Sequence, residues 1–198
     1  KMELFVRNSN RFQFKRLHEM GFTPNEYRES MIYYFENGIT DHLAYGAIVN
    51  VKNPYSDKYP VGGVVALTDG LRGTNDYHFN WLGFEGYELD AVVDLKGTAL
   101  VNNISVNFLQ DAKSWVWIPH NVDFFGSTDG VNYQHLKSEK KKTDERNFEK
   151  IIETFSVPVE NNQFQFIRIT TQSFIQCPEW HLGAGGKAWI FADEILVK

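Results

Sequence analysis

The chain predicts an all-β fold, an antiparallel β-sandwich of jelly-roll type with a short N-terminal extension that includes a helix. Three observations carry this. Beyond His42 the sequence is built of short runs in which apolar and polar residues alternate, as in strands with one buried face. Turn residues separate those runs, as in Ser127-Thr128-Asp129-Gly130. The clear helical signature falls before them, between Thr23 and Asn37.

Within residues 1–41, Glu3–Val6 and Phe12–Lys15 read as a hairpin across Asn8-Ser9-Asn10. Thr23 and Glu26 then form a capping box, Pro24 suits the first helical position and Gly38 acts as a stop. Tyr27, Met31, Tyr34 and Phe35 fall on one face of that helix; the competing reading is a strand over Met31–Phe35. This segment is an N-terminal extension or the tail of an upstream domain, and residues 42–198 form the β-sandwich module. In the module, Tyr87, Leu89, Ala91, Val93 and Leu95 alternate with Glu88, Asp90, Asp94 and Lys96. Ile104, Val106 and Phe108 alternate with Ser105 and Asn107, and Val122 with Phe124 begins a strand that runs into the Ser127–Gly130 turn. Phe166–Ile169 precedes a closing strand, for roughly eight strands in two sheets.

A chain of 198 residues supports one good core with an appendage. The starting residue, Lys1, suggests an excised or processed piece. Apolar residues make up 42% and aromatic ones 15%, enough rings for some to serve binding as well as packing. The net charge of −5 argues against nucleic acid and anionic membranes as partners, since both need a basic face. The basic run Lys137–Lys142, interrupted by Ser138 and Glu139, reads as a solvated loop. No stretch approaches the ~18 apolar residues of a membrane span. The single cysteine, Cys177, excludes an internal disulfide.

Catalytic signatures fail. The chain contains no His-Glu-x-x-His, Cys-x-x-Cys, Gly-x-Ser-x-Gly or Walker sequence. Gly183-Ala184-Gly185-Gly186 does not lie between a strand and a helix, so it reads as a mobile or tightly turned loop and not a phosphate cradle. The chain is therefore expected not to be an enzyme. Ala66–Thr74, read with Asp193-Glu194, has instead the makings of an oxygen cage: a turn that presents the Asp69 carboxylate, carbonyls and the Thr74 hydroxyl, closed by Glu194 from the terminal strand. Hard cations such as calcium take six to eight oxygens of that kind.

Four phrases in order, Asn53–Pro60, Ala66–Thr74, Ser114–Pro119 and Cys177–His181 with Gly183–Gly186, resemble the discoidin, or coagulation-factor type C, domain. The wording is similar to carbohydrate-binding module family 32 and to the C-terminal modules of Bacteroides-type chitobiases and beta-N-acetylhexosaminidases. The resemblance spans roughly residues 42–198. It implies a structural calcium ion held by the Asp69 and Glu194 side chains, by Thr74 through hydroxyl and carbonyl, and by the carbonyls of Ala66, Leu71 and Asp193. It also implies a glycan-binding face on loops at one end of the sandwich, and a periplasmic, cell-surface or secreted location in a bacterium. One departure is that Asn75–Asn80 intervenes between the cation turn and Trp81, which reshapes the neighbouring loop and prevents transfer of a sugar preference.

Sugar sites set a flat ring against a pyranose face and surround it with hydrogen-bonding side chains. Three loops combine those features: His78, Phe79 and Asn80; Lys113 with Trp115; and Trp180 with His181. Trp81, Trp117 and Trp189 read as core, Trp115 and Trp180 as the rings that bind. His181 is open between a structural hydrogen bond within its own loop and a ligand contact. The expected function is a non-catalytic carbohydrate-binding module that targets an attached glycoside hydrolase to glycans. The alternative is a structural or protein-interaction module that buttresses that catalytic domain without binding sugar.

Overall fold

The computed structural model describes residues 42–59 and 62–198. The helix and hairpin expected in the N-terminal extension lie outside the described residues. Among the described residues eight strands form the fold: β1 (Ile48–Val51), β2 (Leu82–Glu85), β3 (Asp90–Gln110), β4 (Asn121–Ser127), β5 (Gln134–Lys140), β6 (Ile151–Gln172), β7 (Trp189–Ala192) and β8 (Leu196–Val197). The pairing is antiparallel and runs β2-β7-β3-β6-β4-β5, with β1 and β8 also on β3.

The long strands β3 and β6 pair almost end to end, from Asp90↔Thr170 to Gln110↔Ile151. Their register shifts between Asp94 and Ala99 and again between Val101 and Asn103. Such irregularities bend a ribbon and re-aim its residues. The Asp90–Asp94 half of β3 lies with β1 and with the half of β6 that pairs β4, whereas its Ile104–Gln110 half meets β7 and β8. The two runs expected as separate strands, Tyr87–Leu95 and Ile104–Phe108, are thus largely one bent strand that contributes to both layers.

Alternation places Ala91 and Val93 inside from one half of β3, with Leu89 just before it, and Ile104, Val106 and Phe108 from the other. They meet Val122, Phe124, Phe155, Val157, Ile167 and Ile169 in one core. The Phe108 and Phe155 rings touch edge to face at 5.6 Å, a favoured aromatic geometry. The alternation fails at its ends. Tyr87 precedes the strand and is exposed. Ser105 and Asn107, expected to face solvent, are buried: Asn107 Nδ2 donates to Asp193 Oδ2 at 2.9 Å, and its Oδ1 accepts from Thr154 Oγ1 at 2.6 Å.

The basic run also differs from expectation, because Lys137–Lys140 belongs to β5 at the margin of the strand order and not to a loop. Exposed lysines suit an edge strand, which they protect from further pairing. The turn before it is stapled as its residues suggest. Asp129 accepts from the Val131 and Asn132 amides, and Ser127 Oγ accepts from Gly130 N.

Gly126 lies on β4 where a Cβ would fall 2.6 Å from the Phe164 ring. Gly126→Ala should therefore cost about 1–3 kcal/mol by overpacking. The measurement is a denaturant melt, and an unchanged midpoint would contradict this packing.

Candidate functional site

The loops converge at the start of β7, around Trp189. Its backbone N donates to Trp115 O at 2.8 Å and its carbonyl accepts from Trp117 N at 3.1 Å. Its ring stacks on Phe191 with centroids 5.4 Å apart and meets Tyr59 edge-on at 5.4 Å. Trp81, Leu109 and Val116 complete this small buried cluster. Trp81, Trp117 and Trp189 are all buried, as the sequence predicts.

Trp115 is different. It is 40% exposed and has a φ of 65°, a conformation uncommon for a residue with a bulky side chain. A tight turn forces it: Asp111 and Val116 exchange both backbone hydrogen bonds, while Ser114 Oγ donates to Asp111 Oδ2 at 2.9 Å. One side of the ring lies on the glycine loop, where a Cβ on Gly183 would fall 2.6 Å from Trp115 Cε2. That loop is tightly turned, with Cys177 N donating to Gly186 O, Gly185 N to Cys177 O and Gly186 N to Gly183 O. The glycines are a seat for the tryptophan.

The first loop sits beside this ring system. His78 Nδ1 lies 2.5 Å from Asp76 Oδ1, which also accepts from His78 N at 3.0 Å. Burial pushes the Asp76 carboxyl up, yet the hydrogen bonds from His78 outweigh it and hold the group below its usual range. Tyr59 meets both Tyr77 and His78 edge-on at 5.5 Å. Lys150 Nζ is 3.8 Å from Asp111 Oδ2. Tyr59, Asp76, Asp111 and Lys150 were not among the expected site residues. The Asp-x-x-Ser pattern at Asp111–Ser114 is a turn signal that could have found one of them.

The predicted site residues separate into those on the surface and those behind it. Lys113 and Trp115 are exposed and His78 is half-buried. Phe79 and Asn80 are buried, with Asn80 at a φ of 57°; they shape the loop from within. Trp180 is half-buried against Trp117, with centroids 6.3 Å apart, and carries the Arg146 guanidinium 5.1 Å above its ring. His181 is buried and its Nδ1 accepts from Gly183 N at 3.0 Å, a bond within its own loop.

Next to these loops lies the acidic turn. Asp69 Oδ1 accepts from Leu71 N at 3.0 Å. Glu194 is fully buried; His42 Nε2 lies 2.7 Å from its Oε1, and its Oε2 has no hydrogen-bond partner. Burial pushes the Glu194 carboxyl up to about 9. Burial, followed by the charge of Glu194, raises Asp69 well above the carboxylate range. The Asp193 side chain is committed elsewhere, accepting from Gly73 N, Asn107 N and Asn107 Nδ2. Burial lifts it to about 6 against the opposing charge of Arg72. The Thr74 carbonyl accepts from Trp81 Nε1 at 2.8 Å, and its hydroxyl accepts from Asp76 N at 3.1 Å. Among the described residues no three His, Cys, Asp or Glu side chains are arranged to hold a metal ion. Any cation here would take two carboxylates and fill its remaining positions with backbone and hydroxyl oxygens. The unpartnered oxygen of buried Glu194, facing the half-buried Asp69 carboxyl, fits that demand.

No protein-family model matches the chain, and no curated protein matches it. Solved structures do. A fucose-binding module of Streptococcus pneumoniae superposes with a TM-score of 0.56 at 14% identity, covering 79% of this chain and 94% of its own. A Clostridium perfringens domain described as CpGH89CBM32-5, in complex with GalNAc-beta-1,3-galactose, gives 0.53 at 13% identity over 79% and 99%. Its companion CpGH89CBM32-4, in complex with glcNAc-alpha-1,4-galactose, gives 0.50 at 15% over 80% and 94%. The chain has the discoidin-type fold of family 32 modules. That fold matches the architecture expected from the sequence.

The different seating of the two candidate rings yields a prediction. Trp115→Ala should cost about 1 kcal/mol of stability, near the range of surface substitutions. Trp180→Ala, which leaves a gap beside Trp117, should approach the ~3 kcal/mol lower bound for a core ring. Equal losses in thermal melts would contradict this assignment.

Proposed function

We propose that the protein is a non-catalytic carbohydrate-binding module. The observation that carries this is the exposed Trp115 ring, fixed in an unfavourable φ and seated on glycines, in a turn bonded to Trp189, whose ring meets Tyr59 and through it His78. A rigid ring next to fixed donors and acceptors suits one face of a pyranose and its hydroxyls. Domains of the same fold that are described as fucose-binding or were solved with amino-sugar disaccharides support the reading. The charge of −5 fits a neutral ligand better than a polyanion.

Such a site is shallow, and its effect arises through attachment. Holding a catalytic domain at a glycan surface raises the effective concentration of substrate, so modest affinity suffices. An attached glycoside hydrolase of chitobiase or hexosaminidase type is the partner that the sequence resemblance implies, in a bacterial periplasmic, cell-surface or secreted protein. Among the described residues no helix is long and apolar enough to cross a membrane.

Calcium has a structural place in this account. Asp69 and Glu194 would hold it by their carboxylates, Thr74 by hydroxyl and carbonyl, and Ala66, Leu71 and Asp193 by carbonyls. Its charge would relieve the repulsion between the Asp69 and Glu194 carboxylates and tie the terminal segment to the turn beside the binding loops.

Two measurements test the proposal. A glycan array should give specific binding that Trp115→Ala weakens by about 2 kcal/mol, roughly thirtyfold, as for an interface hot spot. An array with no bound glycan would favour the buttressing module instead. Calcium should raise the melting temperature by linkage and a chelator should lower it. A melting temperature indifferent to both, with Asp69→Ala equally silent, would remove the metal from the account.

A further inference from the structure

The segment between β5 and β6 played no part in the expected site, yet it is held at the same end of the sandwich. Buried Gln110 donates through Nε2 to Asp144 O and Asn147 O, both at 2.8 Å. Glu153 accepts from Lys142 N, Thr143 N and Thr143 Oγ1. Trp117 Nε1 donates to Glu145 O at 3.1 Å. Asp144 and Asn147 cap the turns within it by accepting from Arg146 N and Glu149 N. A surface loop pinned by a core glutamine and a core tryptophan is preorganised.

What it presents is Phe148, 41% exposed. The ring stacks on His181 with centroids 5.9 Å apart and planes 17° from parallel, and meets the edge of Trp180 at 6.3 Å. Arg146, Glu149 and Lys150 are exposed around it. The core of a protein–protein interface is depleted of charge, so a lone ring ringed by charges is better suited to a small amphipathic ligand. Lys150, two residues on, reaches Asp111 at 3.8 Å and acts electrostatically on Asp76. The Phe148 platform therefore lies next to the Trp115 and His78 site, joined to it by Lys150 and by His181, whose loop seats Trp115.

We propose that this loop is a further binding loop whose Phe148 and Arg146 receive a second sugar unit beside the one held near Trp115 and His78, so that the module recognises an oligosaccharide and not a single terminal sugar. This rests on the glycan-binding reading and adds to it. Phe148 stacks on the outer unit, and Arg146 donates to its hydroxyls. The preorganised loop lowers the ordering cost of that contact.

Isothermal titration of the purified chain tests it. The probes are fucose, galactose, N-acetylgalactosamine and N-acetylglucosamine, each free and at the end of oligosaccharides of three or more units. For the sugar that binds, the oligosaccharide should bind more tightly than the free sugar. Phe148→Ala should abolish that advantage, about tenfold as for loss of an interface ring, and leave the free sugar's affinity unchanged. Arg146→Ala should act in the same direction, and Phe148→Tyr should preserve binding. Equal affinity of the wild type for free and extended sugar would overturn the second station while leaving the glycan reading intact. So would a Phe148→Ala effect that is absent or equal on both. Binding of no probe at all would count against the glycan reading itself.

Discussion

The main-chain bonds of Trp189 are the constraint on which the loop end of the sandwich depends. One residue at the start of β7 accepts from Trp117 and donates to Trp115, and its ring packs against Phe191 and Tyr59. Without this joint the Asp111–Val116 turn would have no fixed height relative to the glycine loop, and Trp115 would have no seat. Trp81 and Val116 share the same cluster. The bond from Trp81 to the Thr74 carbonyl carries the constraint on to the acidic turn.

Rigidity at this end comes from buried polar groups as much as from apolar packing. Asn107 and Asp193 satisfy each other and Gly73, while Gln110 holds the segment between β5 and β6. Each is costly to bury unless paired. Glu194 Oε2 and Gln110 Oε1 are left without a partner, and Glu194 lies beside Asp69.

Much of the architecture was legible because strands follow a period of two and their turns are chemically marked. Leu89, Ala91 and Val93 are buried as alternation requires. That β3 is one strand through both layers was not legible, since the bend is set by register shifts against β6, a partner distant in sequence. Ser105 and Asn107 misled for a related reason, because alternation signals one buried face and cannot show what covers the other. In the site, Trp115 could be singled out by its polar neighbours. Asp76 and Lys150 gain meaning only from spatial approach to one another, and Phe148 only from the buried groups that hold its loop.

The most direct test of a glycan-binding end is a two-dimensional amide and indole NMR titration of the labelled chain with the sugars of the two disaccharides and with fucose. The account predicts that the indole signals of Trp115 and Trp180 move on saturation, together with amides of the loops around them. The buried indoles of Trp81 and Trp117 should stay nearly still. Shifts confined to another face of the sandwich, or none with any of these sugars, would contradict it.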